Sequence, residues 1–303
     1  MKTFQIGIYA PSGYVHDSTT IDRAETLLET LGHHVHRDAG LLLRDGRFAG
    51  NDDERLAAIN RMRDSPNITL ALAARGGYGW SRLLDKIDYR AFENDKTLWL
   101  GHSDFTAFQC ALYAKTGRVS FTAPMACSDF GAETPSDFTI RHCFDLLNTD
   151  RYEIECSLNH SSDKAFSAEG ILWGGNLSMI AHLIGTPYMP KIEGGILFLE
   201  DVGEAPYKIE RMLYQLLYSG ILQKQKAVLL GAFTQIPPCV HEHEGYTLAD
   251  TFLQIEKISN VPFFKGLPFG HIPDKLTLPF GAHCVLNVPV QGIGRIEVSH
   301  YQL

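Results

Sequence analysis

Continuous apolar runs alternate with amphipathic stretches through the first half of the chain. Residues 4–10, 68–74 (ITLALAA) and 97–101 (TLWLG) carry few polar positions, which is the pattern of strands buried on both faces of a parallel sheet. Between the first two, Ile21, Ala24, Leu27, Leu28 and Leu31 recur at helical spacing and stop at Gly32. Glycine ends helices readily because it tolerates the left-handed backbone. A second helix is expected to begin at Asn51 or Asp52.

After Asn148 the pattern changes. Residues 151–164 are polar, with Asn159-His160-Ser161-Ser162-Asp163 among them, and apolar strands resume at Ile171. The expected division is therefore a domain at 1–148, a linker at 149–168 and a second domain at 169–303. In the latter, helices at 176–185, 206–219 and 247–259 mix with strands at 194–200, 226–233, 284–289 and 294–301. The last two strands should form an antiparallel pair around Gln291-Gly292.

A chain of 303 residues suits two domains of roughly 100 to 200 residues each. With 45% hydrophobic and 20% charged residues, it has the composition to fill a core. Lys+Arg 27 against Asp+Glu 35 gives a net charge of −8, which argues against nucleic acid or an anionic membrane surface as partner. No apolar stretch is long enough for membrane insertion, and the opening MKTFQIGIYAPSG is too short in its apolar part for a secretory segment. The six cysteines include no C-x-x-C pair, so free buried thiols in a reducing, cytoplasmic compartment are expected, with a periplasmic location as the alternative.

Chemistry concentrates first in TLWLGHSDFTAF, where a buried strand ends at Gly101, Ser103 follows, and a helix begins. A serine on such a turn projects its hydroxyl, while the next N–H, that of Asp104, points from a helix N-terminus at any oxyanion that develops. The pattern departs from G-x-S-x-G because Phe105 stands where the second glycine would be. The competing reading is that Ser103 or Asp104 merely caps the helix. Gly76, Gly77 and Gly79 follow the strand at 68–74 and would let backbone N–H groups approach a ligand. Neither a dinucleotide fingerprint nor a P-loop is present.

A serine nucleophile needs a base, and there are 13 histidines. His271 lies in the Gly- and Pro-rich GLPFGHIPDKLTLPFG, a shaped loop; His102 adjoins Ser103, but its ring should point away from that side chain. The His241-Glu242-His243-Glu244 cluster lacks the H-E-x-x-H spacing and is expected to be a solvated loop. For the carboxylate that orients the base, Glu200, Asp201 and Glu204 compete at the end of one strand.

RGGYG (75–79), GHSDFT (101–106), GNLSMIAHLIGT (175–186), LFLEDVGEAPYKIERML (197–213) and GLPFGH with DKLTLPFG (266–281) occur in an order that resembles the LD-carboxypeptidase (murein tetrapeptide carboxypeptidase) family of serine peptidases. Microcin self-immunity peptidases are its relatives. The resemblance implies an α/β fold: an N-terminal Rossmann- or flavodoxin-like parallel-sheet domain, plus a smaller C-terminal α+β domain with a β-barrel-like or swivelling sheet. It implies a Ser103, Glu200, His271 triad, an oxyanion hole from the N–H groups of Gly76 and Asp104, and substrate contacts from Arg75, Gly77, Tyr78 and Asn176, with Arg75 the candidate for a terminal carboxylate. The implied partner is a small murein peptide that loses its terminal D-alanine, with no cofactor or metal, in a homodimer whose cleft closes by domain motion. His102 departs from the family's usual Tyr or Phe. An immunity-type peptidase acting on an aminoacyl-nucleotide and a non-catalytic murein-peptide binder are the alternative functions.

Overall fold

The structure, a computed structural model, describes residues 2–160, 164–237 and 245–301. The apolar runs form the centre of a six-stranded sheet. Strands β1 (Gln5–Tyr9), β3 (Leu70–Ala73) and β4 (Leu98–Gly101) lie side by side, flanked by β2 (His34–Arg37) and β5 (Ser120–Thr122). The order β2-β1-β3-β4-β5 is parallel throughout and is the flavodoxin-like order expected from the resemblance. Helix α1 (Thr19–Thr30) ends just before Gly32 and α2 (Asp52–Asp64) begins at Asp52, as read from the sequence. Asn51 starts α2 through a reciprocal capping box with Glu54, at 3.0 and 2.8 Å. Because the chain runs outward from β1 to β2 and then to the opposite side at β3, the loops after β1 and β3 part and open a crevice at the carboxyl ends of the strands.

A second, seven-stranded sheet comprises β6 (Arg151–Cys156), β7 (Phe166–Asn176), β8 (Ile196–Val202), β9 (Ala227–Thr234), β10 (Phe263–Lys265), β12 (His283–Val288) and β13 (Gly294–Ser299). Its order is β10-β9-β8-β7-β12-β13-β6, parallel from β10 to β7 and antiparallel from β7 to β6. The order has two ends, so the sheet is open and not the closed barrel that the resemblance suggests. Helices α5 (Leu177–Leu183), α6 (Pro206–Tyr218) and α7 (Leu248–Ser259) accompany it.

Two features depart from the expected division. The polar stretch read as linker contains β6, which pairs with β13 along six residues; it reads as polar because an edge strand buries alternate positions only, here Ile154 and Cys156. Strand β11 (Leu278–Phe280), far along the second half, pairs antiparallel with β5 and completes the first sheet. The apolar core is likewise continuous: Trp80, Trp99, Phe105 and Phe108 of the first half cluster with Trp173, Leu197, Leu213 and Phe263 of the second.

Candidate active site

At the end of β4 the chain turns sharply. Ser103 has φ 64, the left-handed region that costs a non-glycine residue strain and that recurs at functional positions. The turn is closed by the Phe105 and Thr106 N–H groups donating to His102 O and Ser103 O, at 3.3 and 3.0 Å, and leads into α3 (Phe105–Thr116). Phe105 occupies the place of the missing glycine because its ring lies over Gly101; a Cβ there would sit 2.7 Å from the ring. The helix-cap reading fails: Asp104 stands at the cap position but makes no side-chain cap bond.

The Asp104 carboxylate instead ties together the loops at the switch point. It accepts from Ser12 Oγ, in the loop after β1, and is faced by the N–H groups of Trp80 and Gly79, in the loop after β3. Burial raises its pKa to about 6 against the opposing pull of these donors and Arg55. Arg55 is itself fully buried and donates to Pro11 O and Gly79 O at 2.9 and 3.0 Å. The glycine loop is thereby pressed onto the serine: a Cβ on Gly76 would stand 2.8 Å from Ser103 Cβ and 3.0 Å from its Oγ. Only glycine permits that approach.

From the second sheet, Glu200 near the end of β8 is fully buried, and its Oε2 lies 2.8 Å from His271 Nδ1. Glu204 points elsewhere, 3.5 Å from Lys208. Asp201 is spent on structure, accepting from Asn176 Nδ2, Ser178 N and Ser178 Oγ at 3.0, 2.9 and 2.7 Å. The His271 loop is fastened to the first half by three links. Ser136 Oγ donates to Asp274 at 2.6 Å, Thr139 Oγ1 donates to Pro273 O at 2.7 Å and accepts from Lys275 N at 2.8 Å, and Lys275 Nζ pairs with Asp129 at 2.5 Å. Ser136 and Thr139 belong to the start of α4 (Asp137–Leu147) and Asp129 to a π-helical turn, Ala126–Phe130. Together with β11 these links fasten the His271 loop to the half of the chain that carries Ser103.

Ser103 and His271 face one cleft of about 750 Å³, also lined by Arg75, Gly76, Gly77, His102, Cys127 and the Asp129–Lys275 pair. His102 forms a wall behind the base, edge-on to His271 with ring centroids 5.3 Å apart. Its Nδ1 is 3.0 Å from Ala123 O. Burial, with Lys275 adding to it, pushes the His102 pKa down to about 3, so the ring is neutral at ordinary pH. Burial alone would raise the Asp129 carboxyl, but the paired Lys275 ammonium and the Met125 N–H hold it below its usual range.

The other site residues read from the sequence divide. Arg75 lines the cleft, donating through Nε to Gly76 O (3.2 Å) and Nη1 to Tyr14 O (3.1 Å). Tyr78 is outside the cleft lining, with the Arg47 guanidinium over its ring. Asn176 is buried and structural: its side chain accepts from Met179 N to cap α5 and its N–H donates to Thr106 Oγ1, both at 3.1 Å. The His241–Glu244 cluster lies outside the described residues, among which no group of three or more His, Cys, Asp and Glu side chains is arranged to hold a metal ion. Sequence reasoning missed Ser12, Arg55, Asp129 and Lys275; of these, only Lys275 lies inside a quoted motif.

A serine on a strained strand-to-helix turn and a carboxylate-backed histidine line the same cleft of a two-sheet α/β protein, residue types that acyl-transfer chemistry uses. Within that class, the chain belongs to the LD-carboxypeptidase family, whose N-terminal domain model matches residues 6–123 and whose C-terminal domain model matches residues 169–286. It is 31% identical to the probable murein peptide carboxypeptidase of Bacillus subtilis strain 168, over 93% of this chain and 88% of that protein. It is 28% identical to the murein tetrapeptide carboxypeptidase of Pseudomonas aeruginosa, over 93% of each. The crystal structure of muramoyltetrapeptide carboxypeptidase from Oxalobacter formigenes superposes with a TM-score of 0.92 at 40% identity, covering 99% of this chain and 100% of that one.

Proposed function

We propose that this protein is a serine carboxypeptidase that releases the terminal D-alanine of murein tetrapeptides, leaving tripeptides. The observation that carries the reading is the 2.8 Å contact of His271 Nδ1 with the buried Glu200, in a histidine that shares its cleft with Ser103. With Nδ1–H donated to the carboxylate, Nε2 keeps its lone pair and can accept the Ser103 proton as Oγ attacks the carbonyl carbon. The N–H groups of Gly76 and Asp104 hold the oxyanion of the tetrahedral intermediate. As that intermediate collapses, His271 returns the proton to the departing D-alanine nitrogen; water, deprotonated by the same histidine, then releases the tripeptide from Ser103. No metal has a role in these steps.

Arg75, at the cleft beside Gly76, is the candidate donor for the substrate's terminal carboxylate, and Gly77 supplies backbone close to it. The five free cysteines among the described residues support a reducing, cytoplasmic setting for the recycling of murein fragments. A homodimer is part of the same proposal, to be read by light scattering of the purified protein. The reaction itself is tested by mass spectrometry of a murein tetrapeptide incubated with wild-type or Ser103→Ala protein. Loss of one alanine with the wild type alone is expected, and equal loss with both would overturn the assignment.

A further inference from the structure

We propose that Arg44 and Arg47, held against tyrosine rings at the mouth of the cleft, form a second anion subsite that takes a substrate carboxylate remote from the scissile amide. The subsite is built around Tyr14. The Arg44 guanidinium lies 4.2 Å from the Tyr14 ring centroid, and the Arg47 guanidinium lies 5.6 Å from that of Tyr78. Tyr14 N donates to Arg47 O at 3.3 Å, while Tyr14 O accepts from Arg75 at 3.1 Å. His16, whose ring is 4.3 Å from Tyr14, lines the cleft, as do Arg75 and Gly77. The two arginines thus stand just beyond the lining itself, Arg44 on the Tyr14 ring that packs against His16 and Arg47 on the ring of Tyr78, the residue that follows Gly77.

Their charge is uncommitted. Among the described residues, neither Arg44 nor Arg47, nor Arg75 itself, has a carboxylate within ion-pair distance, whereas Arg37, Arg61 and Arg82 on neighbouring elements each do. The nearby acids do not close the gap: Asp17 is engaged by Thr19 N and Oγ1 at 2.9 and 2.8 Å, and Asp45 makes no ion pair among the described residues. The positive field reaches the cleft wall, where burial and then Arg75 and Arg44 push the His16 imidazole below its ordinary value. In a chain of net charge −8, such a concentration at the substrate entrance acts as a local attractor for anions. A guanidinium resting on an aromatic face keeps its N–H edge available for bidentate contact with a carboxylate.

The inference rests on the murein-peptide reading above, because such a peptide carries carboxylates besides the one on D-alanine. These are on its second residue, D-glutamate, and, where the third is diaminopimelate, on that side chain. The test compares three tetrapeptides containing diaminopimelate: one with both carboxylates free, one amidated at the glutamyl carboxylate and one amidated at the side-chain carboxylate of the third residue. KM and kcat for D-alanine release are measured with wild-type and Arg44→Ala/Arg47→Ala protein. One amidation is expected to raise the wild-type KM about tenfold with a smaller change in kcat, and to identify which carboxylate is read. The double variant should show the raised KM with the unmodified peptide and no further rise on amidation. The wild-type preference should also shrink as salt is added, since both arginines are exposed. Cleavage with the same discrimination in both proteins, or with none in the wild type, overturns the subsite alone. No cleavage of any of the three by the wild type overturns the murein reading and the subsite with it.

Discussion

Glu200 Oε2 and His271 Nδ1 are 2.8 Å apart, with the carboxylate wholly shielded from solvent. Of the acids that compete in the sequence for this role, only Glu200 reaches the ring. Glu200→Gln should keep the fold yet lower kcat by about 10³ to 10⁴, because an amide can donate to Nδ1 and so favour the wrong imidazole tautomer. Glu204→Gln should leave kcat within about twofold. The measurement is steady-state D-alanine release, with far-UV circular dichroism as the check on folding.

Gly76→Ala should damage catalysis through geometry alone. The added methyl would meet Ser103 Cβ and Oγ at 2.8 and 3.0 Å, forcing the loop off the serine and its N–H away from the oxyanion. A loss of about 10² to 10³ in kcat is expected, the range for removing one oxyanion donor. The same variant should bind the tripeptide product with nearly unchanged affinity, which calorimetry would report.

The Asp129–Lys275 pair is almost fully buried, at 5% and 3% side-chain exposure. Removing Lys275 leaves the buried Asp129 charge without its counter-ion, so Lys275→Met should cost about 3 to 5 kcal/mol of stability. Adding Asp129→Leu to that variant should recover much of the loss, as urea denaturation of the two proteins would show. Failure of the second substitution to restore stability would mean that the pair acts through geometry and not through charge balance.

Two buried groups give opposite pH signatures. Asp104 titrates near 6 when folded, above the unfolded value of about 3.9, so the folded state binds the extra proton between these values. Its contribution is fully present below pH about 4 and is lost as pH rises through 6; Asp104→Asn should remove that loss, worth about 3 kcal/mol across the window. His102 titrates near 3 when folded, below the unfolded 6.5, so it destabilises the protein as pH falls below about 6.5. His102→Phe should therefore resist acid better than the wild type while retaining D-alanine release within a few-fold. Denaturation midpoints at pH 4, 5, 6 and 7 would separate the two, and curves parallel to the wild type would refute both assignments.

The elements that were legible in the sequence are those whose pattern is set by two-sided burial. β1, β3 and β4 are apolar throughout, and α1 ends at a glycine with φ 89. β6 was not legible, since its alternate residues face solvent, nor was β11, whose three residues lie in a segment shaped by Gly and Pro and whose partner strand is remote in sequence. In the site, Ser103, Gly76 and His271 could be named because each stands in a local motif. The side-chain role of Asp104 could not be read, because a residue at a helix start looks like a cap until Ser12 and the loop after β3 are seen around it. Asn176 erred in the other direction: its place in a motif reflects the capping of α5.

The pairing of Leu278 with Thr122 and of Phe280 with Ser120 has a consequence for how the chain comes into being. A ribosome-bound chain that has made everything through β5 holds its serine and its glycine loop, but leaves the edge of β5 open and the histidine unmade. That edge is a template for pairing with other chains, and only the arrival of residues 278–280 closes it. Cleft and histidine thus mature together, after residues 278–280 have been made, so truncations before residue 278 should yield inactive chains prone to self-association.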